Sequence, residues 1–332
     1  MMENNQKYIL VFGVSVFDIC GFTDNNYRCN DSNPGKVRTS FGGVCRNIAE
    51  CMARVGVNTQ FISILGDDEA GRGMLEHSKE MNYDMSNSLI IEGGSTPTYM
   101  AVLDEHGEMV SAVVDMKIID KLTTEFIDSK ADIIRNAEYV ILDSDRPDLV
   151  EYMLKNFNED TKFILDPVSA AKAKEVKHLI KYFHTIKPNR YEAEIMCGMK
   201  IKNDDDLRKA GKYFIDLGIK NVFITLDEDG IYYNNGIEEG KIKANDVSVV
   251  NVTGAGDSFV AGIANGYMNN KNIVDTVKYA ISMSTITIST EETIHPDMSH
   301  ELVKEYMDKI DWTEVKYNKR YRLIWNRLIH IN

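Results

Sequence analysis

Short apolar runs rich in β-branched and aromatic residues recur along the chain and are separated by stretches with helical spacing. The first run, residues 8–16 (YILVFGVSV), is bounded by polar residues, as is typical of a buried strand in a parallel sheet. Similar runs predict strands at residues 59–65, 138–144, 162–167, 183–188 and 221–227. Apolar spacing predicts helices at residues 47–55, 70–81, 148–157, 190–197 and 204–217. This alternation predicts an α/β fold, a doubly wound, mainly parallel sheet flanked by helices.

Residues 87–115 break the alternation. Short strand-like segments separated by glycine turns predict consecutive antiparallel strands there. We interpret them as part of a small β-sheet lid, with lid strands inserted at about 14–40 and 87–115; a β-meander with a purely structural role is the alternative.

The C-terminal third is predicted to be mostly helical, at residues 256–288 and 299–307. Residues 313–332 then change to a basic and aromatic composition. We therefore expect one domain over residues 1–312 and a tail over 313–332, for which a docking segment and an oligomer contact both stay open.

The charge balance narrows the classes of partner. The formal net charge is −13 and the sequence pI is about 5.1, so no overall basic field is available to hold a polynucleotide. A phosphate-bearing small molecule stays possible, because backbone N–H groups and a metal ion can bind anions locally.

The cysteines and the apolar runs indicate the cellular compartment in which the protein is expected. Five cysteines without a CxxC pair are typical of reduced thiols and argue against a zinc site (Cys20, Cys29, Cys45, Cys51 and Cys197). The first residues do not resemble a signal peptide, and no apolar stretch reaches the length that spans a bilayer. We expect a cytoplasmic protein without a membrane partner.

The most informative segment is residues 251–259, NVTGAGDSF, where a strand-like run (VSVV, residues 247–250) leads through small residues into an apolar helix. Backbone N–H groups of Gly254, Ala255 and Gly256, together with the start of the helix, can bind a phosphate in transfer. Asp257 in the first turn can accept the proton of an attacking hydroxyl. Taken alone, simple helix capping is the commoner role for such an aspartate.

A second glycine motif, FGGVCRNIAE, also precedes a helix, near the N-terminus. Gly42 and Gly43 allow close approach of the backbone to a ligand, and Asn47 can hydrogen-bond sugar hydroxyls. A glycine turn followed by a capping or solvent-facing Asn is the alternative. Asp18 follows the first strand, at the sheet edge where open α/β sheets bind ligands.

The GG-x-x-x-N pattern, the lid-like insertion and the TGAGD segment together resemble the PfkB (ribokinase-like) family of carbohydrate and nucleoside kinases, over roughly residues 8–310. Asn189 and Glu192 in KPNRYE match the family's N-x-x-E motif. The resemblance implies that Glu192 acts through water on a Mg²⁺ ion and that Asn189 positions the ATP phosphates. Thr225 and Gly230 match its nucleotide-binding strand and turn. Asn189 and Glu192 also have the form of a capping box, and the structural and the functional role can hold at once.

Within the family, FGGVCRNIAE, LDEHGEMVSAVVDM and NVTGAGD are similar to pseudouridine kinases. That similarity implies that Asp18 and Asn47 bind the ribose hydroxyls and that Thr98 and Asp115 on the lid approach the base. It implies phosphorylation of the 5′-hydroxyl of pseudouridine by ATP. Ribose, another sugar or a purine nucleoside are alternative substrates, and a non-catalytic sugar or nucleoside sensor is the alternative from another class.

One position departs from the family pattern. Many members carry an Asp before the GAGD segment that helps to hold a monovalent cation, whereas this chain has Asn251 there. The departure weakens the inference of a monovalent cation.

A dinucleotide-dependent oxidoreductase is disfavoured, because the first strand is followed by VSVFD rather than a G-x-G-x-x-G turn. Two lids could also pair across a homodimer.

Overall fold

The computed structural model describes residues 7–317. Its strands include the predicted apolar runs, trimmed at their ends. The strands are β1 (Ile9–Phe12), β2 (Val16–Thr23), β3 (Gly35–Gly42), β4 (Thr59–Ile62), β5 (Ile64–Gly66), β6 (Leu89–Ile91), β7 (Thr98–Leu103), β8 (Met109–Asp115), β9 (Tyr139–Leu142), β10 (Phe163–Leu165), β11 (Thr185–Ile186), β12 (Asn221–Thr225), β13 (Ile231–Asn234), β14 (Glu239–Ala244) and β15 (Trp312–Lys316).

The helices between them begin at polar caps in several cases, such as Asp68, Asn203 and Ser299, whose side chains accept backbone N–H groups of the first turn. The α-helices are α1 (Val44–Arg54), α2 (Glu69–Glu80), α3 (Thr124–Ser129), α4 (Ala131–Asn136), α5 (Pro147–Phe157), α6 (Ala170–Val176), α7 (Arg190–Cys197), α8 (Asp204–Asp216), α9 (Ala255–Met268), α10 (Ile273–Thr287) and α11 (His300–Lys309).

The main sheet has the order β15-β14-β13-β12-β11-β10-β9-β1-β4. It is parallel from β12 to β4 and antiparallel at the β13 to β15 end. Strand β1 is buried on both faces: Leu10 and Phe12 pack in one apolar cluster with α5, and Ile9 and Val11 pack in a second one with α1 and α9. This burial on both sides confirms the predicted doubly wound α/β sheet.

A separate four-stranded sheet, which we call the lid, has the order β3-β2-β7-β8. Strands β2 and β7 are parallel neighbours, and β3 and β8 lie antiparallel at the two edges. Strand β6 pairs with β5 in a two-stranded parallel sheet instead. Residues 87–115 are therefore not one run of antiparallel strands, and only their second half belongs to the lid.

Three other stretches differ from the sequence prediction. Residues 247–250 form no strand, and Val249 and Val250 are exposed. The helical stretch 256–288 is two helices, α9 and α10. Strands β13, β14 and β15 were not predicted; β15 pairs with β14, so the boundary at 312/313 falls inside a strand. The rest of the predicted tail, residues 318–332, lies outside the described residues. Among residues 7–317, no helix has the length and apolarity to cross a membrane.

Candidate active site

Helix α9 begins at the TGAGD motif, and its first turn carries the predicted catalytic residues. Gly254 is the N-cap, with φ of 80°, a left-handed conformation that favours glycine. A Cβ at Gly254 would also overlap the carbonyl oxygen of Thr293. Ala255, Gly256 and Asp257 follow in the first turn, where the helix dipole is positive; the N–H of Ala255 donates to the Val252 carbonyl at 3.3 Å, and those of Gly256 and Asp257 precede the first helical acceptor. We call residues 254–256 the anion turn, because this geometry suits a bound anion.

Asn47 connects the two glycine motifs. It is buried in the first turn of α1, and its Nδ2 donates to Oδ2 of Asp257 at 2.8 Å. Nη1 of Arg46 donates to Oδ1 of Asn47 at 3.1 Å, which leaves the NH₂ group of the amide to point at Asp257. The structure therefore brings together two motifs that lie about 200 residues apart in the sequence.

Arg46 is itself held by a buried network. Its guanidinium pairs with Glu50, which also contacts Arg54 and His77. Burial opposes ionisation of Glu50, but the hydrogen bond from His77 and the charges of both arginines lower its pKa to about 2. Glu50 is thus a stable carboxylate that fixes Arg46 behind Asn47.

The surroundings of Asp257 tune its proton affinity. Burial raises the pKa of Asp257 to about 7, and the charge of Asp166 adds to this effect. The hydrogen bond from Asn47 and the positive charges of Lys187 and Arg46 act in the opposite direction. A carboxyl group with a pKa near 7 is suited to accept a proton from a hydroxyl at neutral pH.

Asp18 lies on lid strand β2, beside the first glycine motif. A Cβ on Gly42 would overlap Oδ2 of Asp18, and a Cβ on Gly43 would lie 2.6 Å from the carbonyl oxygen of Val14. Gly43 also has φ of 100°. Burial raises the pKa of Asp18, while the charge of Arg46 opposes that shift. Both glycines are therefore needed for the close approach of α1, β1 and the lid.

Thr98 and Asp115 lie on the other face of the lid. The strand register pairs Asp18 with Tyr99, whereas Thr98 is paired with Phe17 and with Asp115. Because successive side chains point to opposite faces of a sheet, Thr98 and Asp115 stand on the face opposite to Asp18. The structure does not bring these two residues together with the other substrate-side residues.

The N-x-x-E motif begins α7 as a complete capping box. Asn189 Oδ1 accepts the N–H of Glu192 at 2.9 Å, and Glu192 Oε2 accepts the N–H of Asn189 at 2.7 Å. Burial raises the pKa of Glu192. Thr225, at the end of β12, donates its N–H to the Pro188 carbonyl and so lies beside Asn189. Gly230, with φ of 89°, closes the turn that follows Thr225.

Sequence reasoning missed an ion pair beneath the anion turn. The Nζ of Lys187 lies 2.8 Å from Oδ2 of Asp166, and both side chains are buried. Burial alone would lower the pKa of Lys187, but Asp166 raises it above its usual value. A Cβ on Gly256 would lie 2.9 Å from this Nζ, so the ammonium adjoins the turn. Both residues directly follow strands, at the edge where such sheets bind ligands, and that position was the available signal.

A small pocket lies beside the carboxyl ends of β1 and β9. Val14, which borders Gly43, is part of its lining, together with Asp143, Asp145 and Arg146. Burial and the charge of Asp145 raise the pKa of Asp143 to about 7. Two acidic side chains, Asp143 and Asp145, thus border a pocket whose lining is otherwise mostly apolar.

Comparison with known proteins identifies an enzyme that transfers a phosphoryl group to a small molecule, and it also gives the family. The sequence matches the description "pfkB family carbohydrate kinase" over residues 6–300. This chain belongs to the pfkB family, and it is a sugar or nucleoside kinase with the ribokinase-like α/β fold.

Among curated relatives, the pseudouridine kinase of Escherichia coli (strain K12) is 32% identical over 89% of this chain and 94% of its own length. A protein of known crystal structure from Clostridium perfringens is 63% identical, with a TM-score of 0.92 over 94% of this chain and 99% of that chain. An Arabidopsis thaliana ribokinase, solved with ribose and ATP, shares the fold at 20% identity, with a TM-score of 0.79 over 91% and 98% of the two chains.

Proposed function

We propose that this enzyme transfers the γ-phosphoryl group of ATP to the 5′-hydroxyl of a ribosyl substrate, and that this substrate is pseudouridine. The observation that carries the proposal is the 2.8 Å hydrogen bond between Asn47 and Asp257, which places the sugar-binding motif against the base at the anion turn. Similarity to the pseudouridine kinase of Escherichia coli supports the choice of substrate.

Asp257 is the general base of the proposed reaction. It accepts the proton of the 5′-hydroxyl as that oxygen attacks the γ-phosphorus and the bond to the leaving ADP oxygen breaks. With a pKa of about 7, Asp257 is ionised in a large fraction of molecules at neutral pH and still has appreciable affinity for the proton.

The anion turn and Lys187 stabilise the transferring group. In this proposal the backbone N–H groups at residues 254–256 bind the group on which negative charge develops, and the dipole of α9 adds to their effect. The N–H of Ala255 would exchange its 3.3 Å bond to the Val252 carbonyl for the phosphoryl group. The Lys187 ammonium, fixed by Asp166, adds a positive charge close to Gly256 and needs little reorganisation in the transition state.

Asp18, Gly42, Gly43 and Asn47 bind the ribose part of the substrate in this proposal. The carboxylate of Asp18 accepts hydrogen bonds from ribose hydroxyls, and Gly42 and Gly43 leave room for that carboxylate and for the Val14 backbone, so the first glycine motif lies close to the lid. Closure of the lid over the sugar excludes water, which is a competing nucleophile. We assign no base contact to Thr98 and Asp115, because they stand on the opposite face of the lid from Asp18.

We assign the nucleotide side of the site to Asn189, Glu192, Thr225 and Gly230. The residues present suit Mg²⁺, which in nucleotide sites uses one or two carboxylates, water and phosphate oxygens: Glu192 and Asp166 are buried acids near Lys187. Glu192 would hold the ion through water. When bound, Mg²⁺ offsets the charge of the nucleotide phosphates.

A homodimer formed through the lid stays a prediction. Both edge strands of the lid are exposed, and Val37 on β3 and Met109, Val113 and Val114 on β8 expose large parts of their side chains. A second copy of the chain would cover these residues and both unpaired edges. Light scattering on the purified enzyme and on a Val113→Lys variant tests this.

A substrate panel tests the proposed function. The purified enzyme is assayed with ATP and Mg²⁺ by coupled ADP detection, with pseudouridine, uridine, ribose, fructose, inosine and guanosine as acceptors. We expect pseudouridine to have the highest kcat/KM. Uridine is the sharpest control, because it differs from pseudouridine only in how the base is attached to the ribose. A preference for ribose or for inosine would replace the proposed substrate, and binding without turnover of any acceptor would favour the sensor.

A further inference from the structure

Asn251 fastens the anion turn to the loop that follows α10. Its Nδ2 donates to the carbonyl oxygen of Glu291 at 3.0 Å, and its Oδ1 accepts the N–H of Thr253 at 3.0 Å. The backbone N–H of Val250 donates to the Ile288 carbonyl at 2.8 Å. The amide side chain of Asn251, three residues before the anion turn, thus links this segment to the loop at residues 288–293.

The partners of Asn251 fix the orientation of its amide group. Nδ2 faces a carbonyl oxygen, which can only accept, and Oδ1 faces a backbone N–H, which can only donate. A flipped amide would place two donors together and two acceptors together. The group that faces the Glu291 carbonyl is therefore the NH₂ donor.

This arrangement does not fit the monovalent cation that the family resemblance implies. An aspartate here would place a carboxylate oxygen against the Glu291 carbonyl, and two such oxygens need a cation between them. In this chain a neutral N–H already satisfies the Glu291 carbonyl. The Glu291 side chain lies elsewhere, 3.8 Å from the guanidinium of Arg38 on the lid.

We infer that Asn251 is a positioning residue whose amide replaces a monovalent cation, so that the anion turn of this enzyme is ordered without such an ion. The inference rests on the proposed function, in which the anion turn holds the transferring phosphoryl group. Gly254 packs against the Thr293 backbone in the same loop, so displacement of that loop moves the N-cap of α9 directly.

Two variants and a control test this inference in KCl, NaCl and choline chloride of equal ionic strength. Asn251→Asp restores a carboxylate, Asn251→Ala removes the link, and Asn156→Asp changes an amide that also donates to a backbone carbonyl, that of Tyr152, on the surface of α5. The first readout is the melting temperature without substrate, which does not depend on the identity of the acceptor. The second is the kcat and KM of ATP-dependent turnover.

For the wild type and for Asn156→Asp, we expect the same melting temperature in all three salts and kcat values within about twofold. Asn251→Asp should have a lower melting temperature in choline chloride than in KCl. Its kcat should also be about tenfold lower in choline chloride, which corresponds to the loss of one strong hydrogen bond. Asn251→Ala should lose kcat in every salt with little change in KM. A merely structural role would not produce rescue by K⁺ in Asn251→Asp alone.

Two results would overturn the inference: a wild-type melting temperature that rises in KCl but not in choline chloride, or an Asn251→Asp variant that behaves as the wild type in every salt. If the enzyme turned over none of the tested acceptors, the proposed function would fail, while the melting data would still decide the role of Asn251.

Discussion

The amide of Asn47 donates a hydrogen bond to the carboxylate of Asp257 at 2.8 Å, and through this contact the first glycine motif acts on the proton affinity of Asp257. The hydrogen bond lowers the pKa of Asp257, whereas burial and Asp166 raise it to about 7. In the proposed reaction, a ribose hydroxyl that displaces Asp257 from this N–H would raise the proton affinity of the base, whereas a hydroxyl that accepts the second N–H of the amide would leave it unchanged.

Replacement of the base tests its role in chemistry. We expect Asp257→Asn to lower kcat by about 10²- to 10⁴-fold, the usual contribution of a general base, with KM values changed less than about threefold. The measurement is steady-state turnover by coupled ADP detection.

The matched control for this change is Asp216→Asn at the exposed end of α8, which should retain wild-type kcat. Loss of structure can be separated from loss of chemistry. Because the folded-state pKa of Asp257 is raised to about 7, ionisation of Asp257 lowers the stability of the free enzyme as the pH rises from about 4 to about 7, and the loss is complete above that range, so Asp257→Asn should melt no lower than the wild type at about pH 8. Full turnover in Asp257→Asn would remove Asp257 from the mechanism.

The pH dependence of kcat/KM should report the pKa of Asp257 in the free enzyme. Since the base must be ionised, we expect kcat/KM to rise with pH and level off above about pH 7, falling about tenfold per unit on the acid side. Asn47→Ala removes a hydrogen bond that favours the carboxylate, so its acid limb should move to higher pH. An acid limb near pH 4 in both proteins would contradict the raised pKa.

Alanine variants of two glycines with the same backbone φ can separate the effect of backbone strain from the effect of steric overlap at the anion turn. Gly254 and Gly56 both have φ of 80°, but a Cβ at Gly254 would overlap the Thr293 carbonyl, whereas a Cβ at Gly56 would meet no atom within 4 Å. We expect Gly56→Ala to lower the free energy of unfolding by about 1 to 2 kcal/mol without loss of kcat. Gly254→Ala should cost about 1 to 3 kcal/mol more and lower kcat by at least about 100-fold.

Chemical denaturation and turnover, measured on the same preparations, check this pair of glycine variants. Equal losses of stability with equal activity would mean that the Thr293 contact is unimportant and that the anion turn tolerates a side chain.

The sequence alone was enough to name the candidate site residues that lie in short motifs. The glycines at 43 and 254, Asn47 and Asp257 each lie in a short motif, and the apolar runs located β1, β4, β9, β10 and β12 because buried parallel strands are almost wholly apolar. Strands β14 and β15 were not predicted because Lys and Glu interrupt their apolar residues, as is common near a sheet edge. Residues 247–250 have strand composition but no neighbouring strand.

Features that depend on which strands are neighbours could not be predicted. Lys187 and Asp166 follow adjacent strands, but their pairing appears only when β10 and β11 lie side by side. The face on which Thr98 stands is set by its register with β2, and a shift of one residue would have turned it toward Asp18. Tertiary pairing, rather than local pattern, decides both cases.

The ion pair of Lys187 with Asp166 should be separable into its structural and its chemical role. Lys187→Met leaves a buried carboxylate without its partner, so we expect a loss of about 3 to 5 kcal/mol in the free energy of unfolding, against less than about 1 kcal/mol for Lys212→Met, whose pair with Asp216 is exposed. Combining Lys187→Met with Asp166→Leu removes both charges and should regain most of that stability. Turnover should nevertheless stay at least about 100-fold below wild type, since the positive charge beside Gly256 is gone. Urea denaturation and kcat measured on the double variant decide between the roles, because recovery of both quantities together would make the pair purely structural.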